Sequence, residues 1–308
     1  MAAYFRRVLL AVLLCAFAWG AGGAPRAEHV FIISLDGGKP AVIQQSPMPV
    51  LSQWVAEGAH TWTALTIVPS QTLPAHASML TGVEPAKHKI LWNNYAPAAG
   101  VVRVTTVFAA AKQAGFSTAM FVGKEKFLHL VQPETVDRFD YNRRASGEVA
   151  KMENGKKVTK EGTVPAAVVA RDASLYILEN KPNLCFIHLA DPDTAGHKHG
   201  WGSPEQIKAF AASDAALGVI QRAIQDAGIA GQSVVLVSAD HGGHAKTHGT
   251  KSPEDMQIPW IAFGRGVKPG FTVTVPVNTC DTAATALWLL GIPLPPGLDG
   301  RPVTSAFN

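Results

Sequence analysis

Acidic and imidazole side chains follow the ends of three apolar runs in this 308-residue sequence. The runs are 29–35, 184–190 and 233–239, and the side chains are Asp36, Asp193, His197, Asp240 and His241. Short runs rich in β-branched and aromatic residues predict buried strands. The carboxyl ends of parallel strands meet at one edge of a sheet, where open α/β sheets bind their ligands. These side chains are therefore predicted to form one site.

Histidines are concentrated in two windows of the chain. Of the eleven histidines, His197 and His199 lie in one window, and His241, His244 and His248 lie in the other. Carboxylates and neutral imidazoles without a cysteine favour zinc or a similar divalent ion. The candidate ligands suffice for two ions, and paired ions are a recurring arrangement in phosphoryl transfer. The residue types therefore predict a centre with two such ions.

Thr72 lies where a short turn leads into a helix that Gly82 ends. The main-chain N–H groups and the dipole of a helix N-terminus favour an anion at that position. A neighbouring metal ion could lower the pKa of the Thr72 hydroxyl and make it a nucleophile. Threonine is also a common N-cap, so this stretch alone leaves a catalytic role and a purely structural role open.

The elements that must position these side chains alternate between strand and helix. Further strands are predicted at 60–68, 116–122 and 258–263, and helices at 40–45, 50–57, 105–115, 124–131, 165–178, 203–226 and 281–290. This alternation predicts an α/β fold with a doubly wound, mostly parallel central sheet and helices on both faces. The polar segment 137–164 is predicted to be a surface excursion or a lid, with a hairpin around Asn154-Gly155.

The N-terminus and the composition limit the class of protein. Arg6 and Arg7 precede an apolar run at 8–17 and small residues, which predicts a signal peptide at 1–23 and an exported, periplasmic or secreted protein. Residues 24–308 then form one catalytic domain, and the apolar run is too short for a convincing membrane span. The net charge is +4 and no basic stripe with interleaved aromatics is visible, so nothing indicates nucleic-acid binding.

Two cysteines, Cys185 and Cys280, remain after the predicted export. They could form a disulfide in an oxidising compartment, but two buried thiols are the favoured interpretation. The oligomeric state is left open by the sequence.

Five motifs in order resemble the type I phosphodiesterase/nucleotide pyrophosphatase family, which belongs to the alkaline phosphatase superfamily. The motifs are Asp36, the stretch 70–82 around Thr72, the stretch from His88 to Asn93, Asp191-Pro-Asp193-Thr-Ala-Gly-His197, and Ala239-Asp240-His241-Gly242. The resemblance extends from about His29 to Gly300. It implies an alkaline-phosphatase-like fold and a metal-dependent hydrolase of small-molecule phosphodiesters or related phosphoryl esters.

The resemblance also implies a role for each matched position. One zinc would be bound by Asp36, Thr72, Asp240 and His241, and the other by Asp193 and His197. Thr72 would attack phosphorus and carry a covalent phosphoryl intermediate, which water activated at the second zinc would hydrolyse. Asn93 would bind the substrate by donating a hydrogen bond to a non-bridging phosphate oxygen.

The last zinc ligand departs from the family pattern. In larger members this histidine lies far downstream of the Asp-His pair, but here no histidine follows His248. His248 or His244 must therefore complete the site, and His248 is preferred because its loop is long enough to fold back. His244 would then line the phosphate pocket. The missing downstream segment also leaves a nucleotide-specific pocket uncertain.

Several other interpretations stay open. A phosphomonoesterase or phosphonate hydrolase of the same superfamily is the nearest alternative, and a phosphoryl-group transferase or a non-catalytic protein is less favoured. A sulfatase is disfavoured because the stretch around Thr72 lacks the Cys/Ser-x-Pro-x-Arg pattern. His76 is expected to be a packing histidine and His188 a satisfied core histidine, and Lys39 could meet a phosphate.

Overall fold

An eight-stranded sheet lies at the centre of the computed structural model, which describes residues 26–147, 149–153, 156–160 and 162–308, with only the backbone for 149–153 and 156–160. The predicted signal peptide lies outside the described residues. The strands are β1 His29–Leu35, β2 Ala59–Leu65, β3 Thr118–Val122, β4 Arg138–Asp140, β5 Val149–Glu153, β6 Lys156–Lys160, β7 Leu184–Leu189, β8 Ser233–Ser238, β9 Gln257–Gly264 and β10 Phe271–Thr272. The order in the central sheet is β10-β2-β9-β8-β1-β7-β3-β4.

Helices cover the sheet between the strands. They are α1 Pro40–Ile43, α2 Pro49–Glu57, α3 Thr72–Thr81, α4 Pro85–His88, α5 Val107–Gln113, α6 Ala166–Asn180, α7 Asp191–His199, α8 Pro204–Asp226, α9 Pro253–Met256 and α10 Asp281–Leu289. A 3₁₀ helix spans Glu125–Leu130. No helix among the described residues is both long enough and apolar enough to cross a membrane.

The central strand β1 is buried on both faces. Val30 and Ile32 belong to one apolar core, and Phe31, Ile33 and Leu35 belong to the core on the other face. A strand buried on both faces needs a nearly continuous apolar run, which is why β1 lacks the alternation of a half-exposed strand. The sheet is parallel except where β9 runs antiparallel to both β2 and β8. The predicted fold class is therefore confirmed.

The strand register sets the position of the predicted site. β1 pairs in parallel with β7 and with β8, and the last pairs are Leu35 with Leu189 and Ser34 with Ser238. The three strands therefore end at the same level. The residues that follow them are delivered to one edge of the sheet, as expected for an α/β ligand site.

Three local features differ from the expectations or extend them. Residues 138–140, inside the predicted surface excursion, form β4 at the edge of the central sheet, parallel to β3. A three-residue strand is too short to show a period of two. β5 and β6 pair antiparallel on either side of the predicted turn, while a lid role remains a prediction.

Cys185 and Cys280 are buried, free and in different apolar clusters, so the structure does not join them.

Candidate metal centre

A first group of candidate ligands consists of Asp36, Asp240 and His241, all fully buried. Asp36 follows β1, and the other two follow β8. The Nε2 atom of His241 lies 3.6 Å from Asp36 Oδ1 and 3.2 Å from Asp240 Oδ2. One ligand atom from each residue falls within 4.8 Å of the others, which is compatible with a shared ion.

A second group consists of Asp193, His197 and His248. The first two lie one turn apart on α7, so both side chains project from the same face of that helix. The Nε2 atoms of His197 and His248 lie 3.3 Å and 3.7 Å from Asp193 Oδ1. His248 comes from the loop after β8, and its ring stacks on His241 with centroids 3.6 Å apart. The two groups are therefore adjacent.

Four buried polar atoms in these groups have no hydrogen-bond partner among the described residues. They are Asp36 Oδ1, Asp193 Oδ1, Asp240 Oδ2 and His241 Nε2. An unpaired buried acceptor costs about 1–3 kcal/mol, so four in one place need an explanation. All four can bind a cation through a lone pair, which means that these residues fit the divalent ions that the sequence predicts.

The histidine tautomers give a second test of the same fit. The Nδ1 atoms of His197, His241 and His248 lie within 3.0 Å of the main-chain oxygens of Lys246, Gly242 and Ser70, respectively. A carbonyl oxygen can only accept, so each Nδ1 carries the proton and each Nε2 keeps a lone pair. The Nε2 atoms of His197 and His248 are only 3.1 Å apart, an arrangement that needs a cation or an additional proton between them.

Burial keeps the imidazoles suited to metal binding. Desolvation lowers the pKa of His248 to about 4, with a further contribution from His241, so the ring is neutral at neutral pH. Desolvation also lowers the pKa of His241. Only the neutral ring can offer a lone pair to a metal ion.

Thr72 and Asn93 meet at the N-terminus of α3. Thr72 is the first residue of the helix and is buried, while Gln71 occupies the N-cap position. The Leu73 N–H donates to Asn93 Oδ1 at 2.9 Å, so Asn93 supplies a cap from a distant segment. The Oδ1 atom is thereby committed as an acceptor, which leaves the Nδ2 group to donate elsewhere. The structural alternative, with Thr72 as the N-cap, does not describe this helix.

Lys124 is a functional candidate that the sequence analysis missed. Its Nζ atom lies 2.6 Å from Asp36 Oδ2, 2.6 Å from Asp193 Oδ2 and 3.5 Å from Thr72 Oγ1. Burial lowers the pKa of Lys124, but the Asp193 and Asp36 carboxylates outweigh burial and raise it overall. The ammonium therefore connects the two groups. Its position just after β3, at the same sheet edge, is the sequence signal that could have revealed it.

The pKa values of Asp36 and Asp240 shift in opposite directions in this environment. Desolvation raises the pKa of Asp36, but Lys124 and His188 outweigh it and hold that pKa well below its usual range. Desolvation and the charge of Asp36 raise the pKa of Asp240 well above its usual range. Carboxylates crowded around a single lysine repel one another, so an additional positive charge would stabilise the centre.

Other residues that the sequence singled out are not members of the two ligand groups. The Nδ1 atom of His244 is 2.7 Å from Asp255 Oδ1, so only its Nε2 could reach a substrate. Lys39 pairs with Glu254, and Asp191 Oδ2 accepts from the Ala166 N–H at the start of α6. His76 is fully buried, as expected of a packing histidine, and its Nδ1 atom lies 3.6 Å from Asp240 Oδ2.

Trp201 is a second residue that the sequence analysis did not single out. Its Nε1–H donates to the Gly37 carbonyl at 3.1 Å, and its ring centroid lies 5.3 Å and 5.8 Å from those of His197 and His248. A Cβ built on Gly243 would lie 2.2 Å from this ring. Trp201 therefore joins the loops after β1, β7 and β8.

Comparisons with known proteins identify the family of the chain. The model of the type I phosphodiesterase/nucleotide pyrophosphatase family matches residues 30–251. Ectonucleotide pyrophosphatase/phosphodiesterase family member 1 of Mus musculus is 24% identical over 221 residues, which are 68% of this chain and 23% of that protein. The chain spans between 20% and 29% of the length of several curated relatives that it matches.

Solved structures share the fold at low sequence identity. An inactive variant of murine ectonucleotide pyrophosphatase/phosphodiesterase 5, in complex with AMP, superposes with a TM-score of 0.73 at 14% identity, covering 91% of this chain and 100% of that chain. Phosphonate monoester hydrolase of Silicibacter pomeroyi gives a TM-score of 0.64 at 15% identity, covering 89% and 75% of the two chains.

Proposed function

Because the chain belongs to the type I phosphodiesterase/nucleotide pyrophosphatase family, we propose that it hydrolyses small-molecule phosphodiesters with Thr72 as the nucleophile and two zinc ions as cofactors. The observation that carries this proposal is the convergence of two ligand groups, with four unpaired buried atoms, beside the α3 N-terminus. The donor set of carboxylates and imidazoles favours zinc over magnesium or calcium, which prefer oxygen ligands alone.

The residues divide into two sets around the substrate phosphate. Asp36, Asp240 and His241 would hold one ion, and Asp193, His197 and His248 would hold the other. The family resemblance adds Thr72 to the ligands of the first ion. The bound ions would lower the pKa of the Thr72 hydroxyl and neutralise negative charge on the phosphoryl oxygens. Asn93 Nδ2 and the N-terminus of α3 would donate to a non-bridging oxygen, and His244 Nε2 would contact the phosphate from the outer side.

The proposed covalent step uses the hydroxyl of Thr72, which is buried at the start of α3. Thr72 Oγ1 forms a bond to phosphorus while the bond from phosphorus to the leaving alcohol oxygen breaks, and the hydroxyl proton ends on that alcohol. Water then cleaves the threonine–phosphate bond. One proton of that water restores the Thr72 hydroxyl, and the water oxygen leaves with the phosphoryl product.

A phosphomonoesterase or phosphonate hydrolase is the second candidate, and one contact favours it. The Lys124 ammonium lies 3.5 Å from Thr72 Oγ1, close enough to pair with an additional negative phosphoryl oxygen. A diester has only one such charge, whereas a monoester at neutral pH has nearly two.

We also propose that the protein is exported, on the basis of the pattern in residues 1–23.

The test compares bis-p-nitrophenyl phosphate with p-nitrophenyl phosphate as substrates for the purified, zinc-loaded protein. We expect faster cleavage of the diester and a loss of at least about 10³-fold in Thr72→Ala. Thr72→Ser keeps a hydroxyl and should retain measurable activity. Thr81→Ala, at the other end of the same helix, is the matched control. Faster monoester cleavage selects the second candidate, and full activity in Thr72→Ala rules out this mechanism.

A further inference from the structure

His188 lies in β7 and is fully buried beside the first ligand group. The Gly123 N–H is 3.2 Å from its Nδ1 atom, and its Nε2 atom is 2.7 Å from Asp36 Oδ2. A main-chain N–H can only donate, so Nδ1 is the acceptor. The proton of the neutral ring is therefore on Nε2 and is donated to Asp36.

This contact determines which oxygen of Asp36 remains available. Oδ2 accepts from His188 and from Lys124, at 2.7 Å and 2.6 Å. Among the residues that the structure describes, Oδ1 has no hydrogen-bond partner, and it lies 3.6 Å from His241 Nε2, on the side of the ligand group. The two donors thus fix the carboxylate with one oxygen turned towards the candidate ion.

The surroundings of His188 keep its ring in this orientation. The ring centroids of Phe127 and His76 lie 4.5 Å and 5.0 Å from that of His188. A turn of the ring about its axis would also separate Nδ1 from the Gly123 N–H, leaving that buried donor unpaired. The donor to Asp36 is therefore held in place by packing and by a main-chain hydrogen bond together.

We infer that His188 is a positioning residue, which orients Asp36 so that Oδ1 binds the ion of the first group. His188 is not itself a ligand in this arrangement, because its proton-bearing nitrogen faces the carboxylate. Hydrogen bonds from an outer side chain to a ligand orient the ligand, and their loss typically weakens metal affinity by about 10–100-fold. The inference rests on the proposed function, since it needs the first group to bind a divalent ion.

A simple packing role makes a different prediction. If His188 only fills space, His188→Leu should serve nearly as well, because leucine is apolar and comparable in volume. If the donor matters, His188→Gln should be the better replacement, since its amide N–H can reach the position of Nε2. The pair therefore separates hydrogen bonding from packing.

The experiment measures zinc affinity by competition with a chromophoric chelator, using the full chain in a His197→Ala background that weakens the second group. We expect His188→Leu to lower the affinity of the first group by about 10–100-fold and His188→Gln to stay within about threefold of its background. In the otherwise unchanged protein, His188→Leu should lower kcat more than it changes KM. If His188→Leu does not fold, His188→Asn replaces it, because its shorter amide cannot reach Asp36.

The outcomes are separable. Equal zinc affinities for His188→Leu, His188→Gln and the His197→Ala background overturn the inference. An equal loss of affinity in both His188 variants also overturns it, because it indicates a packing role alone. A parent protein that binds no zinc at either group contradicts the proposed function instead. Zinc binding and Thr72-dependent hydrolysis with no effect of His188→Leu leave the proposed function intact and remove only this inference.

Discussion

At the scale of single residues, Asn93 caps α3 and is also the residue proposed to bind a phosphate oxygen. Its Oδ1 atom caps α3 through the Leu73 N–H, and its Nδ2 group is the proposed donor to the substrate. The two roles have different magnitudes. Loss of a helix cap costs about 1 kcal/mol of stability, whereas loss of a donor to a developing oxyanion costs about 10²–10³-fold in kcat.

Asn93→Asp and Asn93→Ala separate these two roles. Asn93→Asp keeps an acceptor, and a negative charge at a helix N-terminus is favourable. We therefore expect its free energy of unfolding to be close to that of the parent protein. Its kcat should still fall by about 10² or more, because no N–H remains to donate. The alanine variant should lose both activity and about 1 kcal/mol of stability.

Urea denaturation and steady-state kinetics measure the two effects in the same samples. Asn94→Ala changes the exposed neighbour and is the matched control. Unchanged kcat in Asn93→Asp would show that the Nδ2 group has no part in the reaction.

At the scale of elements, the site depends on how the loops after β1, β7 and β8 pack together. Trp201 occupies the space between them, since its indole N–H binds Gly37 and its ring lies against Gly243. Glycine at 243 is needed for this close approach. Protein interiors are densely packed, so an added methyl group must displace the ring or the loop.

Gly243→Ala should therefore weaken zinc binding, although residue 243 is not a candidate ligand. Its Cβ would lie 2.2 Å from the Trp201 ring, and displacement of Trp201 moves its neighbours His197 and His248. We expect zinc affinity to fall by at least about tenfold, since misplaced outer contacts typically cost that much.

Gly231→Ala is the control for this prediction. No heavy atom lies within 4 Å of a Cβ at Gly231, and its φ angle is not positive. Isothermal titration calorimetry with zinc should give the zinc affinity of the parent protein for Gly231→Ala and a lower affinity for Gly243→Ala. Parent-like binding in both variants would mean that the loops tolerate the methyl group.

At the scale of the whole molecule, the candidate metal centre buries charged side chains at the edge of a sheet whose two faces are apolar. Asp36, Asp193 and Asp240 are buried, and Lys124 is the cation described beside them. Removing one partner of a buried ion pair leaves an uncompensated charge and typically costs about 3–5 kcal/mol. Global stability should therefore depend on Lys124 and on added metal together.

Lys124→Met keeps most of the side-chain volume and removes the charge. In the presence of a chelator, we expect its free energy of unfolding to fall by about 3–5 kcal/mol. Zinc in excess should stabilise this variant more than the parent protein, because the ion then supplies the missing positive charge.

Lys39→Met is the control at the surface. Lys39 pairs with Glu254, whose side chain is 56% exposed, and pairs of this kind contribute about 0–1 kcal/mol. Guanidinium denaturation with zinc and with chelator measures all three proteins. Equal losses in Lys124→Met and Lys39→Met would show that Lys124 does not compensate buried charge.

Most of the fold and much of the candidate site could be predicted from local patterns of residues. Continuous apolar runs predicted β1, β7 and β8, and the side chains after them are the ones that the structure brings together. Gly82 was expected to end α3 and does so in the left-handed conformation, which glycine adopts without strain. These features are local, because strand burial and helix termination are encoded within a few neighbouring residues. The five motifs in order also indicated the family.

The way in which the site is completed depends on contacts between distant parts of the chain, which the fold alone reveals. The tertiary structure placed His248 rather than His244 in the second group, brought Lys124 between the groups, used Asn93 to cap α3 and turned His188 towards Asp36. It also added the short strand β4 and kept the two cysteines apart. His188 and Asp36 are 152 positions apart in the chain. Such contacts depend on the register of paired strands and on packing across the sheet edge, and no local pattern of residues records them.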